Sequence, residues 1–262
     1  MNRADDKQIL ADFNTPGCAH AFFNRHGGAG REPFFSRNVS FGVGDEDAVV
    51  RKNRELIKQF LQTDRLLSAR QVHGDAVYRY AGETGGEDEI DGVDALITDR
   101  PGTGLMIQQA DCQAVLLHDP VHRAIGAIHC GWRGSVAGII GKTVARMRDC
   151  FGTEPAFLRA AVSPSLGPCC GEFVNYKTEL PQAFHRFQVR DSHFDFWAIT
   201  RWQLQECGIA AAAITVSGRC TSCSPEYFSY RRAVRNGMGR TGRNCSVIVL
   251  CRETGRDSTG LI

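Results

Sequence analysis

Apolar positions along the chain come in short clusters whose spacing switches between two periods. After Asp45, a residue suited to capping, the positions from Ala48 and Val49 through Asn53 to Phe60 and Leu61 approach helical spacing. The series Val136, Ile139, Ile140, Val144 and Met147 has the 3.6-residue period of an amphipathic helix. A further helix is expected from Phe196 to Cys207, closed by Gly208. Short strands are expected at Gln71 to Tyr78, Ala95 to Thr98, Leu105 to Gln109, Gln113 to Leu117, Ala124 to Ile128, Arg159 to Ser163, Ile214 to Val216 and Ser246 to Leu250. His118-Asp119-Pro120 supplies a turn, so Gln113 to Ile128 reads as a hairpin.

Strands and helices therefore alternate irregularly, and the hairpin requires some antiparallel pairing. The pattern predicts an α/β fold, a single layered α-β-α domain with a mixed sheet. No internal repeat or linker divides the chain, so one domain is expected over residues 1–262, with its core at 11–251 and a loose polar tail at 252–262. Between His20 and Gly44, glycines and Pro33 separate short aromatic runs, which suits loops that line a site. Ala81 to Glu89 reads as an acidic, solvated loop.

Composition narrows the partners. The 31 basic and 29 acidic side chains nearly cancel to a net charge of +2, which speaks against wholesale binding of nucleic acid or anionic membrane. The start, MNRADDKQIL, lacks the apolar core of a secretory signal, and the best apolar run, Val136 to Ile140, is short and broken by Gly138. A cytoplasmic monomer acting on a small molecule is expected. An odd count of 11 cysteines without an export signal points to reduced thiols. Cys18, Cys150, Cys207, Cys245 and Cys251 read as small hydrophobes. Cys220-Thr221-Ser222-Cys223 is a C-x-x-C with no second pair at ribbon spacing, and it reads as a local coincidence. Cys169 and Cys170 read as loop residues whose side chains diverge.

The chemistry concentrates at the two ends of the hairpin. Ala110-Asp111-Cys112 precedes it and His129-Cys130-Gly131-Trp132-Arg133-Gly134 follows it. A ladder whose paired residue numbers sum to about 241 would set Cys112 opposite His129 on one face, whereas a one-residue slip would substitute Cys130. His73 could add a third ligand, and three protein ligands with an open fourth position are the arrangement of catalytic zinc. A metal-free alternative uses Cys112 as nucleophile with His129 or His73 as base. A copper oxidase of the usual kind needs paired H-x-H segments, and the chain has none. The turn from Gly131 to Gly134 could aim backbone N–H groups at an anion with Arg133 beside it, or be a plain tight turn. Asp111 could serve as a base or orient the ligand next to it, while Arg54, Arg231 or Arg232 could grip phosphate with a guanidinium fork.

Gln71-Val72-His73-Gly74, Asp94-Ala95-Leu96-Ile97-Thr98, Ala110-Asp111-Cys112, His129 to Gly134, Gly167-Pro168-Cys169-Cys170 and Phe228-Ser229-Tyr230-Arg231-Arg232 stand in the order seen in the YfiH-like family. The chain resembles that family from about residue 17 to 250, including Arg25-His26-Gly27-Gly28, Asn38-Val39, Asn53-Arg54, Cys220-Thr221 and Thr241-Gly242-Arg243. The family has been called multicopper polyphenol oxidase, purine nucleoside phosphorylase and peptidoglycan editing factor. The resemblance implies a single α/β domain of the putative cysteine hydrolase type, with zinc on His73, Cys112 and His129. Cys112, Asp111 and Arg54 are taken as catalytic candidates, and Arg25, Asn38, Arg133, Arg231 and Arg232 as contacts to substrate or phosphate. The implied activity is phosphorolysis of adenosine, inosine, guanosine and methylthioadenosine, with adenosine deamination. The alternative is hydrolysis of mis-loaded UDP-MurNAc-amino acid precursors; a nucleotide-binding protein without catalysis is a further one. Departures from the family pattern are Ala29-Gly30, Cys130, Gly171 and the additional Cys223.

Overall fold

The computed structural model describes residues 6–13, 15–82 and 89–252. In chain order its elements are β1 (Lys7–Gln8), β2 (Cys18–Phe23), α1 (Asp47–Leu61), β3 (Arg65–Arg70), β4 (Val77–Tyr80), β5 (Glu89–Asp91), β6 (Ala95–Thr98), β7 (Thr103–Gln109), β8 (Gln113–Asp119) and β9 (Ala124–Cys130). There follow α2 (Trp132–Val136), α3 (Ile139–Phe151), β10 (Arg159–Val162), α4 (Tyr176–Glu179), β11 (Gln188–Arg190), β12 (His193–Phe194), α5 (Phe196–Glu206), β13 (Ile214–Val216), α6 (Tyr230–Arg235) and β14 (Asn244–Leu250). One six-stranded sheet has the order β1-β2-β14-β7-β3-β5 and the other β13-β10-β8-β9-β6-β4. Both are mixed: β3 runs parallel to β5 and β7 while β14 is antiparallel to β2 and β7, and β10 runs parallel to β13 but antiparallel to β8.

The two sheets pack face to face. Leu67, Leu105, Ile107 and Ile248 of the first meet Leu96, Leu116, Ile125 and Ala127 of the second in one buried cluster. Ile57 and Leu61 of α1 cover the outer face of the first sheet against Met106 and Val247. Ile139, Ile140, Val144 and Met147 of α3, with Leu204 of α5, cover the outer face of the second. Each of the buried Leu, Ile, Val and Met side chains among these contributes roughly 2 kcal/mol through loss of apolar surface to water. All seven residues of β7, β8, β9 and β14 are buried, as strands covered on both faces must be.

The α/β class and the mixed pairing follow the expectation from the sequence, with helices outermost. The sheet layer itself is doubled, because fully buried strands lose the period-two alternation that would tell one sheet from two. Other boundaries moved for local reasons. Gly138, at φ 77°, breaks the expected helix into α2 and α3 and leaves Val136 exposed. Glu46, not Asp45, is the residue ahead of α1, and Asp45 instead accepts a hydrogen bond from Asn38 Nδ2. The strand expected from Gln71 begins only at Val77, since the preceding residues turn to form part of the site described below. Of the acidic loop, residues 83–88 lie outside the described residues, while Glu89 opens β5 and is held inside the protein. Of the expected tail, residues 253–262 likewise lie outside; Arg252 pairs with Asp64. Among the described residues no helix is long and apolar enough to cross a membrane.

Candidate metal centre

The hairpin β8–β9 pairs Gln113 with Cys130 and Ala114 with His129. This register lies two residues along from the expected pairing of Cys112 with His129, and a shift of two preserves faces. Cys112 precedes β8, in a turn made by Asp111 at φ 87°. His129, near the end of β9, shares the inter-sheet face with Ala114 and Ala127, so it stands at the rim of the cleft between the sheets.

His73 reaches the same rim from a different direction. It is not on a strand but in the left-handed region at φ 60°. Its turn is held by Asp94, whose carboxylate accepts the backbone N–H groups of Val72 (3.2 Å), His73 (2.9 Å) and Gly74 (2.8 Å). Asp94 directly precedes β6, the neighbour of β9, and its carbonyl accepts the His129 N–H at 2.7 Å. Its Oδ1 also lies 2.7 Å from His129 Nδ1.

The ligand atoms of His73, Cys112 and His129 all fall within 4.8 Å of one another. Cys112 Sγ lies 3.9 Å from His73 Nε2, and the two imidazoles meet edge-on with centroids 4.8 Å apart. Gly131 leaves room for them: a Cβ there would sit 3.2 Å from His73 Cδ2 and 3.3 Å from Cys112 Sγ. Closeness to the donor cluster thus accounts for this glycine without an anion. The helix that follows it, α2, has five residues, and Arg133 stacks on the ring of Trp132.

Burial opposes ionisation of Cys112, but the hydrogen bonds and charges of His129 and His73 outweigh it and bring the thiol down to about 6. Burial likewise opposes the charged form of His129, yet the Asp94 hydrogen bond and the neighbouring sulfur raise it to about 9. Asp94, despite burial, is held below the usual carboxylate range by His129 and the backbone N–H groups. The Cys112 and His129 shifts both favour a thiolate–imidazolium pair in the protein without metal. The donors suit a nitrogen- and sulfur-seeking ion such as zinc: the thiol ionises readily, and Asp94 at Nδ1 leaves His129 Nε2 to point into the cluster.

The cluster stands between two cavities. The larger, of about 820 Å³, is lined by Phe41, Gln71, Glu89, Gln108, Tyr230 and Arg243 as well as the three donors. The smaller, of about 480 Å³, is lined by Trp132, Arg133, Glu172, Phe173, Tyr230 and Arg231, with His73 and Cys112 in its wall. Both volumes are of the size that holds small organic ligands.

The remaining candidates separate into those that face a cavity and those that brace it. Arg133 and Arg231 line the smaller cavity, and Arg231 also bonds the Glu172 carbonyl at 3.1 Å. Arg54 is spent on the Val39 carbonyl, Ser68 and Glu89, so it fixes Glu89 in the wall of the larger cavity and does not itself face the space. Arg232 donates to the carbonyls of Thr221, Ser222, Ser224 and Tyr227. Arg25 donates to the Phe35 carbonyl and lies over the Phe228 ring. Asn38 is fully buried, joining Ser40, Asp45 and Arg243 N. Asp111 accepts from Thr221 Oγ1 (2.7 Å) and Arg231 N (2.6 Å), which ties the Cys112 turn to the start of α6. Glu89 and Gln108 were given no role from the sequence, and Asp94 and Tyr230 entered only as members of the motifs that carry the resemblance, whereas Arg243 stood among the late arginines open to an anion.

Fold and site together define an α/β protein of two stacked sheets with a His–Cys–His donor cluster at their rim. The chain belongs to the multi-copper polyphenol oxidoreductase laccase family, which matches residues 19–251. It is 33% identical over 244 residues to a purine nucleoside phosphorylase of Bacteroides thetaiotaomicron, covering 86% of this chain and 90% of that protein. It is 34% identical over 230 residues to the purine nucleoside phosphorylase ORF3 of Streptomyces griseus, covering 82% and 90%. Among solved structures, YlmD of Geobacillus stearothermophilus superposes with a TM-score of 0.84 at 27% identity, covering 96% of this chain and 98% of that one. The hypothetical protein YfiH of Bacillus licheniformis gives 0.80 at 29% identity, covering 89% and 92%.

Proposed function

We propose that the protein is a zinc-dependent purine nucleoside phosphorylase acting on adenosine, inosine, guanosine and methylthioadenosine, and that it also deaminates adenosine. The observation that carries this reading is the convergence of His73, Cys112 and His129 on the wall of the larger cavity, in a chain whose relatives are named for nucleoside phosphorolysis. When bound, zinc supplies Lewis-acid polarisation of a substrate oxygen or of water. Asp94 fixes the tautomer and direction of His129 and the turn that carries His73. Arg243 presents its guanidinium to the larger cavity and is anchored there by the Thr241 and Gly242 carbonyls, a position suited to phosphate. Phe41 and Tyr230 offer rings for the purine. Asp111, with both carboxylate oxygens engaged, serves as a positioning residue for Cys112.

Purified protein incubated with adenosine and phosphate, followed by chromatography for adenine, ribose 1-phosphate and inosine, tests the reading. Adenine and ribose 1-phosphate that form only with both phosphate and metal, and inosine that forms from water with metal alone, support it; metal-loaded protein that forms none of these products sinks it. The ionisation of Cys112 beside two imidazoles favours a second reading, a metal-free cysteine hydrolase. Activity that survives chelation but is abolished by alkylation of Cys112 would decide for that one.

A further inference from the structure

We propose that Cys169, Cys170, Cys220 and Cys223 form a second, structural metal site, a four-thiolate cage for zinc that staples the loop after β10 to the loop after β13. In the sequence, the vicinal pair and the C-x-x-C stand apart and neither is complete. The fold joins them. Strands β10 and β13 run parallel as neighbours, so both loops leave the same end of the sheet. Beyond the strands the pairing continues: Ser165 bridges to Cys220, Ser165 N–H donates to the Arg219 carbonyl, and Thr221 N–H donates to the Ser165 carbonyl. The four sulfurs then lie within 4.8 Å of one another, with Cys223 Sγ 3.5 Å from both Cys169 Sγ and Cys170 Sγ.

Those distances fit a metal better than a covalent bridge. A disulfide requires about 2.05 Å between sulfurs, whereas zinc–sulfur bonds of about 2.3 Å in a tetrahedron place sulfurs about 3.8 Å apart. Four protein ligands also leave no open position, which is the mark of a structural rather than a catalytic site. Surroundings conform to this reading. Gly167 N–H points at Cys220 Sγ at 3.3 Å, and Gly167 admits no side chain because a Cβ would meet Trp197 at 2.8 Å. Arg190 donates to the Cys169 carbonyl at 2.8 Å, and Arg232 donates to the Thr221, Ser222 and Ser224 carbonyls of the C-x-x-C loop, so cations stand near the negative cage. As each zinc–sulfur bond forms, a thiol gives its proton to solvent.

The staple would act on the metal centre through Thr221, which sits inside the C-x-x-C and holds Asp111, the neighbour of Cys112. Cobalt titration of the reduced, metal-stripped full chain tests the site without reference to any turnover, so its result is independent of the phosphorylase reading. The Cys112→Ser variant should still take up about one cobalt ion with the intense visible bands of a four-sulfur tetrahedral site. The Cys220→Ser/Cys223→Ser double variant should lose those bands and that ion while keeping the weaker spectrum of the His73, Cys112 and His129 centre. Should either variant fail to fold, the wild-type titration decides, because sulfur-to-cobalt charge transfer from four thiolates is roughly fourfold that from one. Absence of a four-sulfur spectrum in wild-type protein overturns the proposal. So does an intact mass short of two hydrogens, located by peptide mapping to a disulfide among these four residues, or stoichiometric iron in place of zinc in the protein as isolated.

Discussion

Asp94 and His129 are joined twice, once through the Asp94 carbonyl and the His129 N–H and once through Oδ1 and Nδ1, both at 2.7 Å. Because the same carboxylate collects three backbone N–H groups of the His73 turn, one buried side chain orients two of the three donors. Asp94→Asn keeps the shape but weakens both functions. It should lower zinc affinity by about tenfold to a hundredfold, the usual cost of losing such an outer partner. Competition against a metallochromic chelator measures this, and unchanged affinity would show that Asp94 merely supports the turn.

Gly131 tests crowding apart from charge. Its φ of −70° is ordinary for any residue, so Gly131→Ala introduces no backbone strain. The added Cβ would instead press on His73 and Cys112 at 3.2 and 3.3 Å. We expect the fold to survive, with Tm lowered by only a few degrees, while metal content after dialysis falls by about tenfold. Retention of full metal content would mean that the donors yield readily.

Two arginines near the larger cavity should behave in opposite ways. Arg243→Ala removes a guanidinium that faces the larger cavity, and should raise the KM for phosphate by about tenfold or more with a modest effect on Tm. Arg54→Ala removes the ion-pair partner of the half-buried Glu89, which keeps its hydrogen bonds from Ser68 and Gln108, and should destabilise the protein by about 1–2 kcal/mol, or roughly 2–8 °C in Tm. Glu89 is held below the usual carboxylate range by Arg54 and its other hydrogen bonds despite burial. Its stabilisation is thus present above the normal carboxylate pKa and disappears as pH falls through the lowered one. The Arg54→Ala deficit should therefore shrink in acid, which thermal melts from neutral pH downward will record.

How far this architecture was legible depends on whether the signal was local. The hairpin Gln113 to Ile128 announced itself through its turn residues, and its ends carried Cys112 and His129 into proximity even though the register was two residues off. The third donor, His73, was placed on a strand read from Gln71 to Tyr78. What puts it in a left-handed turn is Asp94, 21 residues away in sequence, and no local pattern encodes that pairing. The same holds for the arginines: composition marks them as anion candidates, but only packing shows that Arg54 and Arg232 are spent on Glu89 and on backbone carbonyls while Arg243 lines a cavity. The doubling of the sheet was hidden for a different reason, since strands buried on both faces no longer alternate.

Metal removal exposes the ionisation of the centre. In metal-free protein Cys112 has its thiol lowered to about 6 and His129 is raised to about 9, so between these values the pair exists as thiolate and imidazolium. Alkylation of Cys112 by iodoacetamide, followed by peptide mass spectrometry, should accordingly rise through pH about 6 and level off well below the pH needed for an ordinary thiol. Stability follows the same pair from both sides. The His129 contribution is complete below the ordinary histidine pKa and is lost as pH climbs through about 9. The Cys112 contribution, present in full above the ordinary thiol pKa, is lost as pH falls through about 6. Because one contribution grows as the other fades between about pH 6 and 9, their sum in chelated protein should change little across that window, and Asp94→Asn should lower the pH at which the His129 contribution is lost by weakening the hydrogen bond that holds its proton. Zinc should protect Cys112 from alkylation across the whole range, since a sulfur bound to metal is a poor nucleophile. Equal labelling rates with and without zinc would show that Cys112 is not a ligand, whatever its neighbours.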